Sequence, residues 1–311
     1  MIREPVFVLG APRSATTLLV QTLARSSLLW TPGRESQHVF EGPYHPSRIG
    51  WRSNALGAED LTPGNAALLK AGLLRRMQPG TVWRRRDARR DGEPGSRTPL
   101  ARIVYTAARV RSILKRRFGS VRLLEKTPNN CLRIPFLRAL FPDAKFVFLR
   151  RDGRPNISSL MDGWKLEGQF ESYEPPLPLR IAGYAGTKWC FLLPPHWREL
   201  VDQPLEVVCA EQWKAAMEAV LAELPRLRTD GAVCEVSYEE LTGSPRSTLT
   251  RVLAFLGLPA EEGVVPREDR LPVINARTPP DPDKWKRHNG EAVTRILPRI
   301  AAVQRALGYG D

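Results

Sequence analysis

The residues best suited to chemistry stand in one short turn. Arg13, Ser14, Thr16 and Thr17 fall within Val6-Phe-Val-Leu-Gly-Ala-Pro-Arg-Ser-Ala-Thr-Thr-Leu-Leu19. A guanidinium and three hydroxyls, added to main-chain N–H groups at the head of a helix, make a cradle for a phosphate-type anion. A Walker A loop is excluded, because it needs a second glycine and a lysine that this turn lacks. Further on, an apolar run ends in Glu125-Lys-Thr-Pro-Asn129. A second run, Lys145 to Leu149, leads into Arg150-Arg-Asp-Gly-Arg154, with Ser158-Ser159 beyond it. Ligands of open α/β sheets gather at the carboxyl ends of strands. Lys126 and Arg151 stand at two such ends. Ser159 falls in the first or second turn of the next helix, where its hydroxyl reaches the same anion.

These motifs carry a family resemblance. GAPRSATTLL resembles the 5′-phosphosulfate loop of sulfotransferases that use 3′-phosphoadenosine 5′-phosphosulfate (PAPS), with Ala15 in place of a glycine. Alanine tolerates a positive φ poorly, so this position is a departure from the pattern. Arg151 and Ser159 have the spacing with which the family holds the 3′-phosphate. Val236-Ser-Tyr-Glu-Glu-Leu241, followed by Leu253-Ala-Phe-Leu-Gly-Leu-Pro259, is similar to a third family segment. With three matches in order, the chain is identified as a bacterial-type member, resembling the tyrosylprotein branch in its cofactor motifs.

The resemblance implies roles. Arg13, Ser14, Ala15, Thr16 and Thr17 would hold the 5′-phosphosulfate, and Arg151 and Ser159 the 3′-phosphate. Tyr238 would contact adenine, or else be a core tyrosine. Lys286 and Arg287, in Asp283-Lys-Trp-Lys-Arg-His288, would fold over the 3′-phosphate. Lys126 would neutralise the leaving oxygen, or simply pair with Glu125. Glu35, in Gly33-Arg-Glu35, is the choice for general base, with Glu41 and His38 as alternatives. The reaction implied is sulfuryl transfer from PAPS to a hydroxyl of a small-molecule, glycolipid or carbohydrate acceptor, releasing adenosine 3′,5′-bisphosphate (PAP) and needing no metal. The four histidines are scattered and make no ligand spacing.

Composition sets the surroundings. The chain has 311 residues, 47 Lys and Arg against 33 Asp and Glu, and a net charge of +14, which points to anionic partners. It shows no zinc-ligand spacing, basic zipper or aromatic RNA-binding signature, so no nucleic-acid partner is expected. A phosphate-loop kinase or NTPase is disfavoured by the missing lysine. Cys131, Cys190, Cys209 and Cys234 form no C-x-x-C pair and suit a reducing cytoplasm. No apolar run reaches the roughly 18 residues of a membrane span, and no signal peptide precedes the first strand.

The elements that must position these groups alternate strand and helix, which predicts an α/β fold: a P-loop-like, doubly wound, mainly parallel sheet flanked by helices. Strands are expected at 5–10, 121–125, 145–149 and 232–236. Helices are expected at 16–26, 68–77, 98–119, 133–140, 210–224 and 246–256, with one beginning near 161. A last helix would be capped by Asn289, after an extended stretch over 271–283. Residues 31–66 read as irregular and 78–97 as an arginine-rich loop. The chain reads as one domain over 1–311, with about 31–97 and 165–204 as an acceptor-site lid. Trp51, Trp83, Trp164, Trp189 and Trp197 are either an acceptor wall or core.

Overall fold

The computed structural model describes residues 1–80, 119–261, 263–266, 271, 281 and 283–310. Six strands form one sheet, in the spatial order β3 (Gln78–Pro79), β2 (Leu29–Thr31), β4 (Arg122–Glu125), β1 (Val6–Leu9), β5 (Lys145–Arg150) and β8 (Val233–Ser237). Every pairing is parallel except β2 with β3. A separate antiparallel pair joins β6 (Glu171–Tyr173) to β7 (Trp189–Cys190). The expected doubly wound sheet is therefore present.

Strand periodicity sorts the core onto two faces, because successive side chains point to opposite sides. Val6, Val8, Leu124, Val147 and Leu149 pack with α1 (Thr16–Leu23), α7 (Tyr238–Gly243) and α8 (Pro245–Phe255). Phe7, Leu9, Leu123, Phe146 and Phe148 pack on the other side. There they meet α2 (Gln37–Tyr44), α3 (Pro63–Arg76), α4 (Ile134–Leu140), α5 (Gly153–Trp164), α6 (Leu205–Thr229) and α9 (Lys284–Ala306). A sheet covered on both faces needs strands that are apolar throughout, and VFVL in β1 is buried at every position.

Several boundaries differ from expectation. Residues 31–66 contain α2 and the start of α3, although Gly42 and Pro43 mask the helical signal of α2. The helix expected near 161 begins at Gly153, where Asp152 Oδ1 accepts the Arg154 N–H as a cap. Helix α6 is longer at both ends and runs on through Pro225. Helix α9 starts at Lys284, and Asn289 is a kink inside it (φ −135°, ψ 25°) rather than its cap. The arginine-rich stretch from 81 to 97 and residues 98–118 of the helix expected at 98–119 lie outside the described residues, as do Trp83 and most of 271–283. Trp164, Trp189 and Trp197 are fully buried and belong to the core. Trp51 packs at its margin, in ring contact with Trp197.

Candidate active site

The carboxyl ends of β1, β2, β4, β5 and β8 open onto a cleft of about 1400 Å³. The loop after β1 forms its floor. Gly10 is required there, since a Cβ would stand 2.7 Å from Leu149 O and 2.8 Å from Thr16 Cγ2. Its N–H donates to Cys131 Sγ at 3.1 Å. Arg13 (φ 69°) and Ala15 (φ 67°, ψ 20°) both take left-handed backbone. Two strained non-glycine residues in one turn fit a site held in shape by its surroundings. Ala15 occupies the cap position of α1 without a side-chain cap, so the first-turn N–H groups have no intrahelical acceptor, and Ala15 to Leu18 line the cleft.

Arg13, Ala15, Thr16 and Thr17 line the cleft, but Ser14 does not. Its hydroxyl turns inward, donating to Ala11 O at 2.6 Å and accepting from Asn156 Nδ2 at 3.4 Å. In this structure the Ser14 hydroxyl braces the loop, where the sequence-based expectation has it turned to the anion.

Arg13 Nε donates to Ser159 Oγ at 3.2 Å, and its guanidinium lies over the Phe170 ring at 5.0 Å. Arg151 donates from Nη1 to Arg13 O at 2.8 Å and stacks on Tyr238 at 4.2 Å. Arg151 Nε is buried without a partner. Burial and the neighbouring Arg151 hold the Arg13 guanidinium below its ordinary value, and burial does the same to Arg151. Among the described residues neither arginine forms a salt bridge. Two close cations lacking a carboxylate partner, with one donor orphaned, make a site shaped for a polyanion.

Lys126 Nζ stands 2.5 Å from Glu35 Oε1, so it does not pair with Glu125. Glu125 is wholly buried. It accepts from Ser36 N and Oγ, Thr127 Oγ1 and Asn130 Nδ2, and burial pushes its carboxyl up despite those donors. Glu41 and His38 also line the cleft. Glu41 Oε1 accepts from Gln37 Nε2 and Tyr173 Oη, both at 2.7 Å. Tyr173 Oη in turn accepts from Gln37, Asn54 and Asn129. Burial and Arg76 hold the His38 ring below its usual range, which favours its neutral form.

The basic cluster near 286 is placed differently. Lys286 pairs with Asp283 at 2.8 Å, and Arg287 pairs with Asp281. Neither lines the cleft; Lys284, Trp285 and His288 do. Sequence reasoning missed these three, along with Phe170 and Phe191. The i, i+4 spacing of Lys284 and His288 is the signal that would have found them once the helix start was known.

The chain belongs to the sulfotransferase family, whose profile matches residues 5–174 and 187–262. It is 24% identical over 150 residues to the Caenorhabditis elegans "Putative protein-tyrosine sulfotransferase", a match covering 48% of this chain and 45% of that protein, so it spans about half of that relative's length. It is similar to the sulfotransferase domain from the curacin biosynthetic pathway (17% identity, 99% of each chain, TM-score 0.44). Sulfotransferase STF9 from Mycobacterium avium is another (15% identity, 96% of this chain and 76% of that one, TM-score 0.47). So is mouse sulfotransferase SULT7A1 complexed with PAP (12% identity, 99% of this chain and 90% of that one, TM-score 0.40). Among the described residues no helix is long and apolar enough to cross a membrane, and no cluster of His, Cys, Asp and Glu is arranged for a metal.

Proposed function

We propose that the protein transfers the sulfuryl group of PAPS to a hydroxyl of a small-molecule, glycolipid or carbohydrate acceptor, releasing PAP. The observation that carries this reading is the convergence of two arginines, Arg13 and Arg151, without a salt bridge among the described residues, with the Lys126–Glu35 pair in one cleft at the carboxyl edge of the sheet. The arginines and the free N–H groups of α1 match a nucleotide carrying phosphates at two ends. PAPS supplies the activated sulfur.

The chain's own groups supply alignment and charge. Arg13, Thr16, Thr17 and the Ala15 turn grip the 5′ end, while Arg151 and Ser159 grip the 3′-phosphate. Tyr238, already under Arg151, packs against the base. Glu35 takes the proton of the acceptor hydroxyl as its oxygen attacks sulfur. The electron pair of the breaking S–O bond stays on the leaving phosphate oxygen, where Lys126 and Arg13 meet the growing charge. These cations do the neutralising work that a metal does in phosphoryl transfer.

The chain functions as one sulfotransferase domain over 1–311, and the lid over about 31–97 and 165–204 is supported by Gln37, His38, Glu41, Leu166, Phe170 and Phe191 in the cleft wall. Four buried free thiols support a reducing cytoplasm as its location. Calorimetry with PAP and AMP tests the function. PAP should bind far more tightly, because only it carries a 3′-phosphate, and equal affinities would overturn the reading.

A further inference from the structure

The carboxyl ends of β5 and β8 create a conflict beside Arg151. A helix begins just beyond each, and helix starts favour acidic side chains. Asp152 caps α5, and Glu239 stands in the first turn of α7. Arg151 is the chain neighbour of Asp152, and its guanidinium stacks on Tyr238, the chain neighbour of Glu239. Burial holds that guanidinium down, while Tyr238, Glu239 and Asp152 act through space in the other direction. Either carboxylate, paired with Arg151, would neutralise the charge that a phosphate needs. Both are instead tied elsewhere.

The ties come from the last turn of α9 and the residues just past it. Asp152 Oδ1 accepts from Gln304 Nε2 at 3.0 Å, and Arg154 donates to both oxygens of the same carboxylate. Gln304 is buried, and its Oε1 accepts the Gly153 N–H at 2.8 Å. One amide thus fixes Asp152 and the first residue of α5 together. Tyr309 Oη donates to Glu239 Oε2 at 2.7 Å. The backbone sets its direction: Gly308 is left-handed (φ 82°), and the Tyr309 N–H returns to Gln304 O at 2.9 Å. This glycine-terminated helix end fixes how the following residue leaves the helix. The Tyr309 ring is half-buried and packs against the larger core. Burial and the Glu239 carboxylate push its hydroxyl up, so it stays a donor at neutral pH.

We infer that Gln304 and Tyr309 are positioning residues, which hold Asp152 and Glu239 off Arg151 so that its guanidinium is left for the 3′-phosphate. The inference rests on the sulfotransferase reading and adds to its cofactor site two residues that touch no ligand. An internal competitor lowers apparent affinity by the fraction of molecules in which it fills the site. Asp152 has two side-chain partners, whereas Glu239 is exposed and its carboxylate is held by a single phenol among the described residues. Tyr309 is therefore where the arrangement gives way first.

The test is calorimetry of PAP and AMP binding to the full chain, since only PAP carries a 3′-phosphate. Tyr309→Phe keeps the ring and removes the donor. It should weaken PAP binding by about three- to tenfold and leave AMP binding nearly unchanged, which also reports an intact fold. Glu239→Gln removes the competing charge and should bind PAP at least as tightly as the wild type. The double variant should recover that affinity, a rescue that lost packing cannot produce. Wild-type PAP affinity in Tyr309→Phe, an equal loss for PAP and AMP, or a loss that persists in the double variant would each overturn the inference. Failure of the wild type to prefer PAP over AMP would instead remove the cofactor reading beneath it.

Discussion

Lys126 reaches Glu35 at 2.5 Å while the residue before it, Glu125, holds Ser36 through both backbone and hydroxyl. Two consecutive residues at the end of β4 thus grip two consecutive residues of the loop after β2. The buried carboxylate fixes the loop, and the lysine beside it meets the candidate base. Strand alternation explains the division: Glu125 points into the core face and Lys126 emerges at the strand end, into the cleft.

Glu35→Gln should therefore remove the proton acceptor while leaving the cofactor cradle intact. Loss of a general base costs about 10²–10⁴-fold in rate. Steady-state turnover should collapse, and calorimetric PAP affinity should stay near that of the wild type. Wild-type turnover in this variant would shift the role to Glu41 or His38.

Arg151→Ala should erase most of the preference for PAP over AMP. A hydrogen bond to a charged group is worth about 1.5–3 kcal/mol, or roughly 10- to 150-fold in affinity. The variant's affinity for AMP should hardly move, because the 5′ cradle is made by other residues. Parallel loss for both ligands would mean that Arg151 mainly holds the Arg13 backbone, to which it donates at 2.8 Å.

Ala15→Gly should stabilise the protein. Left-handed backbone costs a residue with a Cβ about 1–2 kcal/mol, and glycine gives back about 0.4–1 kcal/mol through its freer unfolded chain. The net gain corresponds to a rise of up to about 2 °C in Tm by scanning calorimetry, with PAP binding no weaker. A lower Tm would show that the alanine methyl packs usefully.

All four cysteines should resist alkylation in the native protein. Burial pushes the Cys131 thiol up to about 12 and Cys190 to about 11, and it raises Cys209 and Cys234 as well. The thiolate is the reactive form, so iodoacetamide at pH 8 should leave the folded chain unmodified by mass and label all four sites in urea. Native labelling of Cys131 would reveal that the wall behind Gly10 opens.

The sequence made the anion cradle legible because its parts are local: an apolar strand, a turn, a helix head, and an arginine where the next strand stops. Lys126 followed from its place at a strand end, whereas Glu35 was suggested by the family resemblance of Gly33-Arg-Glu35 and by nothing in the local pattern. The inward turn of Ser14 was not, since a hydroxyl in such a loop serves a ligand and a brace equally well. Lys286 and Arg287 depended on the phase of α9, which a one-residue shift in helix start rotates by 100°. The Phe170–Phe191 stack joins residues across β6 and β7, and only the folded hairpin brings them together. Glu125 was the least visible: nothing local shows that a carboxylate will be buried and tied by four donor groups.

The juxtaposition of Arg13 and Arg151 has a consequence for the protein's life in a cell. Like charges held together out of water work against folding when no anion lies between them. Ligand binding reverses this, and saturation at a hundred times Kd adds about 2.7 kcal/mol to the folded state. On the proposed function, the protein without its nucleotide would be the less stable form.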